Sequence, residues 1–242
     1  MARSAVLPLK ATEPEIDIYS NKSSLILFWL LINHDNLKSE SFSVNELSRR
    51  TGTSTGLAHK IIKQLEYEGI VVAKGLRTGK KFYLKSPDKI LLSWVGEYSL
   101  TRKTKTKGYA AFDVASAKSK LNLVPALHMA SVEFFHLKTT NLKAKEYYLL
   151  NWKNLPKLTE QLDLIELDRG YEVLLVKPYY TSLVEKIFED ADKKWMQAYE
   201  VLTVLDLLHF PLRGIEQAET LFRKSEILKN ICSWSAVENA VG

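Results

Sequence analysis

The amino-acid sequence predicts an α+β fold in two parts, an N-terminal unit of helices closed by a β-hairpin and a C-terminal mixed α+β domain with a small sheet. The first observation behind this prediction is the order of helix and strand patterns between Ser43 and Lys85. The second is the division of charge. Residues 1–108 carry 18 Lys and Arg against 10 Asp and Glu, whereas residues 109–242 carry 16 against 18. Positive charge concentrated in one half is typical of nucleic-acid binding.

Two helices joined by a tight turn are predicted first. Ser43 and Glu46 have the spacing of a capping box, in which each side chain satisfies a free backbone N–H at a helix start. Gly52 suits the left-handed conformation of a turn, and Ser54 is a good N-cap for the second helix. The apolar residues of that helix recur at three- and four-residue spacing, which forms one stripe: Leu57, Ala58, Ile61 and Leu65.

A β-hairpin is predicted next. Gly69 ends the second helix, residues 70–72 begin a strand, and residues 82–84 form the returning strand. Gly75 and Gly79 bracket the loop between them, as suits a hairpin. With a first helix over Leu25 to Leu31, this order is the layout of a winged helix-turn-helix, in which the second helix of the turn enters the major groove of duplex DNA.

The layout predicts which side chains contact double-stranded DNA. On the second helix, where base edges would be read, the candidates are Ser54, Thr55, His59, Lys60 and Lys63. Arg49 and Arg50 end the preceding helix and would reach phosphates. Arg77, Lys80 and Lys81 would bring the positive charge of the hairpin to the DNA backbone or the minor groove. The alternative is that the unit docks a protein and its basic face is only solvated.

The remaining sequence divides into further regions. We predict an N-terminal arm over residues 1–20, the winged domain over 21–86, a connecting helix and basic linker over 87–108, and the C-terminal α+β domain over 109–242. Residues 101–108 form the linker, and residues 34–36 a polar stop after the first helix. In the C-terminal domain we predict helices over 113–121, 183–188, 196–210 and 216–224, a strand over 147–150, and a hairpin in which 162–167 and 171–176 flank Asp168-Arg169-Gly170.

The composition argues against secreted and membrane proteins. The single cysteine, Cys232, excludes an internal disulfide and fits a reducing compartment. The N-terminus lacks the apolar core of a secretory signal. The longest apolar run, Leu25 to Ile32, has eight residues, whereas a membrane span needs about 20. We therefore expect a soluble, cytoplasmic protein without membrane contact.

One pattern could carry catalysis. Glu166 and Asp168 place two carboxylates on one face of a strand, as in the metal-binding pair of nucleotidyltransferases. The Gly-Ser motif with which those enzymes hold nucleotide phosphates does not precede the pair. The five histidines are scattered without ligand spacing, and no phosphate-binding loop is present. We therefore predict no enzymatic activity, no cofactor and no metal site, with a nucleotide-transferring C-terminal half as the alternative.

A segment near the C-terminus, Val204 to Leu221, resembles the C-terminal signature of AbiEi-type antitoxins. That signature has an apolar Asp-Leu helix, a short break, Arg-Gly, and an acidic helix that contains Ala and ends in Leu. The matching positions are Asp206, Leu207, Arg213, Gly214, Glu216, Ala218, Glu219 and Leu221. The helix after the hairpin, Ser86 to Trp94, also resembles the corresponding helix of some bacterial and archaeal regulators.

The resemblance implies a transcriptional regulator that represses its own operon. It also implies that the chain counters a toxin of the nucleotidyltransferase class, in a type IV toxin–antitoxin system used in phage defence. The alternative is a plain winged-helix regulator without a toxin partner. We expect a homodimer, because such modules read paired half-sites. We expect Asp206 and Arg213 to form an ion pair or a helix-end interaction that ties the last two helices together, and the alternative is that they contact the partner directly.

Overall fold

The computed structural model describes residues 16–76, 79–114, 121–139, 141–142, 144–189 and 193–242. The predicted mixed α+β class is confirmed, since many helices surround two small sheets. The predicted helix over 113–121 lies mostly outside the described residues.

Four helices begin the described chain: α1 (Asn21–Ile32), α2 (His34–Ser39), α3 (Val44–Thr51) and α4 (Thr55–Tyr67). The predicted caps are confirmed: the Ser43 hydroxyl accepts from the backbone N–H of Glu46 at 3.1 Å, and the Ser54 hydroxyl accepts from that of Leu57 at 3.2 Å. The predicted polar stop at residues 34–36 is wrong, because these residues begin α2. The actual break is Asn33, whose side-chain amide donates to the Trp29 carbonyl at 2.7 Å and ends α1.

A two-stranded hairpin follows α4, as predicted. Strand β1 (Val71–Lys74) pairs in antiparallel register with β2 (Lys81–Leu84). Gly75 has φ +87°, and a Cβ there would lie 2.7 Å from the Gly79 carbonyl oxygen, so the loop requires a glycine at this position. Phe42 exchanges two backbone hydrogen bonds of 2.9 Å with Phe82, which fastens β2 to the segment before α3.

A four-stranded sheet lies in the second half. Its strands are β3 (Thr106–Tyr109), β4 (Leu123–Pro125), β5 (Lys145–Leu149) and β6 (Val173–Val176), in the spatial order β3-β6-β5-β4. Strand β6 is antiparallel to β3 and parallel to β5, and β5 is antiparallel to β4.

The sheet corrects two predictions. Residues 106–108, placed in the linker by the sequence, belong to strand β3. A Cβ at Gly108 would lie 2.8 Å from the Leu167 carbonyl oxygen, so this glycine allows close strand packing. The predicted hairpin around residues 168–170 is also wrong: residues 162–167 contribute only one isolated bridge, between Glu166 and Tyr109. Both edges of β6 are already paired with β3 and β5, which leaves no edge for residues 162–167.

The other helices lie in the rest of the chain, and two of them, Leu127–Glu133 and Thr181–Glu189, contact the sheet directly. They are α5 (Pro87–Glu97), α6 (Leu100–Lys103), α7 (Leu127–Glu133), a 3₁₀ turn (Trp152–Asn154), α8 (Leu155–Gln161), α9 (Thr181–Glu189), α10 (Lys193–Leu208), α11 (Gly214–Lys224), α12 (Leu228–Ile231) and α13 (Trp234–Val241). The helices predicted over 183–188, 196–210 and 216–224 are thereby confirmed with small boundary shifts. No helix in the described ranges combines the length and the apolar character needed to cross a membrane.

The main hydrophobic core joins the two halves of the chain. It contains buried residues of α1, α4 and the hairpin together with residues of α9, α10 and α11. The Phe28 and Trp94 rings lie 4.6 Å apart, and the Trp94 indole N–H donates to the Tyr180 hydroxyl at 2.7 Å. A second, smaller cluster contains Tyr109 and Leu175. The N-terminal helices are therefore packed on the C-terminal half through shared apolar contacts.

Candidate nucleic-acid interface

Helix α4 has one buried and one exposed face. Ala58, Ile61, Ile62 and Leu65 are buried and Leu57 is half-buried, close to the predicted stripe. The opposite face carries the exposed residues Thr55, His59, Lys60 and Lys63. The helix has 13 residues, a length of about 20 Å. This polar and basic face can follow the floor of a major groove, where base edges present hydrogen-bonding groups.

The turn before α4 is held by hydrogen bonds between side chains and backbone. The Ser48 hydroxyl donates to the Thr53 carbonyl at 2.6 Å, and Gly52 has the left-handed φ of +71° that its position requires. The Thr55 hydroxyl donates to Ser48 at 3.4 Å. Arg49 and Arg50 are exposed in the last turn of α3. The orientation of α3 relative to α4 is therefore set locally, and the two arginines lie one tight turn away from the α4 N-terminus.

The hairpin lysines differ in their surroundings. Lys81 is exposed, as expected of a phosphate contact. The Lys80 ammonium instead lies 2.9 Å from a Glu66 carboxylate oxygen on α4 and 5.3 Å from the centre of the Phe82 ring. Lys80 thus ties the hairpin to α4, and its charge is already balanced. The sequence did not reveal this pair. Arg77, the third predicted hairpin cation, lies outside the described residues.

Sequence reasoning missed three residues of this surface. Lys74 is exposed, with its ammonium 4.9 Å from the centre of the Tyr83 ring. Tyr67 at the end of α4 is 88% exposed, and Leu76 at the hairpin tip is 87% exposed. Counting charges along the sequence would have shown that the hairpin is basic throughout, because the segment from Gly69 to Pro87 contains five Lys or Arg and no Asp or Glu.

Helix α9 lies beside the turn between α3 and α4. A groove of about 330 Å³ separates them and is lined by Thr53 and Ser54 on one side and by Glu185, Lys186 and Glu189 on the other. Both glutamates are exposed. The groove also holds the cations Lys22 and Lys186, so the two glutamates oppose the approach of a phosphate backbone only in part.

Asp206 and Arg213, the two polar positions of the antitoxin-like signature, have separate partners. The exposed Arg213 pairs with Glu216 at 2.5 Å. Asp206 is buried, and one carboxylate oxygen accepts from the Tyr98 hydroxyl at 2.6 Å while the other accepts from the Tyr148 hydroxyl. The expected tie between Asp206 and Arg213 is therefore wrong, because the Asp206 side chain points into the core, toward α5 and β5.

Burial changes the titration of Asp206. Desolvation raises the pKa of its carboxyl from 3.8 to about 8, although the hydrogen bond from Tyr98 acts in the opposite direction. At Gly214, another position of the signature, any Cβ would clash with the Leu207 carbonyl oxygen. These two signature residues therefore serve the packing of α10 against its neighbours.

The candidate catalytic carboxylates are not grouped for metal binding. The Glu166 carboxylate lies 2.6 Å from the Lys107 ammonium. In the described part of the chain, no three His, Cys, Asp or Glu side chains are arranged to hold a metal ion. The buried Glu146 accepts from the backbone N–H of His128 at 2.7 Å and lies 3.1 Å from the His128 Nδ1 atom. This pair links α7 to β5 in the interior.

A comparison with protein-family models returns no match, and a comparison with curated proteins finds no significant relative.

Proposed function

We propose that this chain is a sequence-specific DNA-binding transcriptional regulator of the cytoplasm, in which α3, α4 and the hairpin form a winged helix-turn-helix. The observation that carries the proposal is the exposed polar and basic face of α4 beside a hairpin segment that has five cations and no carboxylate. Helix α4 would read base edges, and the hairpin would contact the sugar–phosphate backbone.

The antitoxin role is the finer part of the proposal. It is supported by the resemblance of residues 204–221 to the AbiEi signature, and it makes a nucleotidyltransferase-type toxin the partner of the C-terminal half. The chain would repress its own operon as a homodimer on paired half-sites. Co-purification with a nucleotidyltransferase-type protein encoded beside it would support this role. A chain that binds DNA but has no such neighbour would instead be a plain regulator.

The DNA-binding proposal is tested with the full chain and the duplex upstream of its own coding sequence. We expect an affinity that falls steeply with salt, because phosphate contacts release condensed counterions. We also expect Lys60→Ala and Lys63→Ala to weaken binding. The matched control is Lys157→Ala, which removes an exposed lysine from α8 and should leave binding unchanged. Absence of binding at low salt, or binding that ignores salt, would contradict the proposal.

Two further measurements test two alternative functions. A stable protein complex without DNA affinity would identify a docking adaptor. Nucleotide transfer to RNA in the presence of metal, abolished by Glu166→Ala and Asp168→Ala, would identify an enzyme with a DNA-targeting unit. The pairing of Glu166 with Lys107 favours the regulator over this enzyme.

A further inference from the structure

Leu76 is an apolar side chain held in solvent at the tip of a basic hairpin. It is 87% exposed, and the two residues before it, Lys74 at the end of β1 and Gly75 in the loop, are also exposed. Exposing a leucine forgoes the free energy that its burial in the core would contribute. Single exposed apolar residues are common on protein surfaces. Leu76 differs in that it lies in the loop of a hairpin held against α4 by the Lys80–Glu66 pair.

The tip is fastened to the rest of the unit. The backbone N–H of Gly79 donates to the Leu76 carbonyl at 3.1 Å, which closes the loop next to Leu76. Lys80, which lies just beyond the last strand pair Lys74–Lys81 on the loop side, is paired with Glu66 on α4, and Phe82 within β2 is paired with Phe42. Leu76 is therefore carried by a hairpin that is fixed to α4 close to its loop and to the segment before α3 along β2.

The charge around Leu76 selects the class of partner. Every charged residue from Gly69 to Pro87 is a cation. An apolar side chain flanked by cations is the combination with which minor-groove proteins unstack a base step while binding the adjacent phosphates. An anionic membrane would attract the same charges, but one leucine supplies too little apolar area for stable membrane binding. The exposed polar and basic face of α4 on the same unit also favours a DNA duplex over a membrane as the partner.

We propose that Leu76 is a wedge that enters the minor groove of the bound duplex, partly unstacks one base step and bends the DNA. The inference rests on the DNA binding proposed above. Pyrimidine–purine steps such as TA and CA are the expected targets, because they unstack and kink most easily. Leu76 would then contribute to sequence preference without a hydrogen bond to any base.

The experiment uses the full chain and a duplex selected by binding from a random-sequence pool. The DNA bend is measured by circular-permutation gel shift. Base unstacking is measured by the fluorescence of 2-aminopurine placed at each TA or CA step of the site. The variants are Leu76→Ala and the conservative Leu76→Met. The matched control is Val72→Ala, which shortens another exposed apolar side chain of the same hairpin away from the tip.

We expect Leu76→Ala to lose most of the bend and the 2-aminopurine signal and to bind about ten-fold more weakly, with an unchanged salt dependence. Leu76→Met and Val72→Ala should behave like the unaltered chain. An unaltered chain that binds DNA without bending or unstacking it would overturn the wedge alone, as would an unchanged bend in Leu76→Ala. Leu76-dependent binding to phosphatidylserine vesicles, with DNA binding unaffected, would also overturn it. A chain that binds no duplex would overturn both the wedge and the proposed function.

Discussion

The Tyr98 hydroxyl donates to the Asp206 carboxylate at 2.6 Å in the interior, although the two residues are 108 positions apart in the chain. Tyr98 directly follows α5, the helix after the hairpin, and Asp206 lies near the end of α10. The other carboxylate oxygen accepts from Tyr148 on β5. One buried carboxyl group therefore joins the end of the helix after the hairpin to the sheet and to α10 in the C-terminal half.

This carboxyl group predicts a dependence of stability on pH. Its pKa is about 8 in the folded chain and is expected to return to about 3.8 on unfolding. Between these values the unfolded state releases a proton that the folded state retains, so stability is full below about pH 4 and falls as the pH rises towards 8. The Asp206 contribution to this slope is up to about 1.4 kcal/mol per pH unit.

Asp206→Asn tests this prediction, because the amide does not titrate. Chemical denaturation across pH 4 to 8 should show a shallower decline in the variant, so that the stability difference from the unaltered chain narrows as pH rises. The control is Glu160→Gln, which neutralises an exposed carboxylate on α8 and should keep the slope. Equal slopes in Asp206→Asn and the unaltered chain would contradict the assignment. Tyr98→Phe should cost about 1–3 kcal/mol at any pH in this range, because it leaves a buried oxygen without its donor.

Phosphate contacts and base contacts should respond differently to mutation. Arg49→Ala should weaken binding to all duplexes and lower the salt slope by about 1. Thr55→Ala and His59→Ala should instead change the preferred bases at single positions of the site, each by about 1–3 kcal/mol of discrimination. Affinities measured for a panel of single-base variants of the site, at several salt concentrations, separate the two effects. If both sets of variants behave alike, the division of roles is wrong.

The two neighbouring hairpin lysines should differ. Lys81→Gln should lower DNA affinity and the salt slope, because Lys81 is exposed. Lys80→Gln should have a smaller effect on the salt slope, because its ammonium is already paired with Glu66. The pair is partly exposed, so its loss should cost no more than about 1 kcal/mol of stability. A double-mutant cycle with Glu66→Gln measures this coupling. An equal loss of salt slope in both lysine variants would show that Lys80 leaves Glu66 on binding.

The two glutamates of α9 beside the turn, Glu185 and Glu189, should restrain DNA binding. Glu185→Gln and Glu189→Gln remove negative charge beside the turn before α4. The affinity for DNA should rise a few-fold in each at low salt, and the gain should shrink as salt screens the repulsion. Glu160→Gln on α8 serves as the charge-matched control. A gain of equal size in Glu160→Gln would mean that net charge alone explains the effect.

Local features of the candidate interface could be predicted from the sequence. The capping residues Ser43 and Ser54, the left-handed Gly52 and the apolar stripe of α4 depend on residues within a few positions of one another. Short-range hydrogen bonding and helical periodicity are sufficient to specify them. The hairpin and its excess of positive charge could also be predicted, because both depend only on residues close together in the sequence.

Contacts between distant segments could not be predicted in this way. The order of the four-stranded sheet places β3 against β6 and leaves no room for the hairpin expected around Asp168. Whether a segment can join a sheet depends on which strand edges are already paired with other segments, and no local sequence pattern indicates this. The same holds for the pairing of Lys80 with Glu66, which no local sequence pattern indicates.

The sequence by itself determined the helices and caps around α4, the glycines of the hairpin, and a segment that is basic throughout. These properties belong to neighbouring residues and need no partner from elsewhere in the chain. Only the tertiary structure decided that Asp206 joins Tyr98 and Tyr148, that Glu185 and Glu189 of α9 lie beside the turn, and that Leu76 is left in solvent. The physical reason is that burial, desolvation and the distance between charges are set by how remote segments pack.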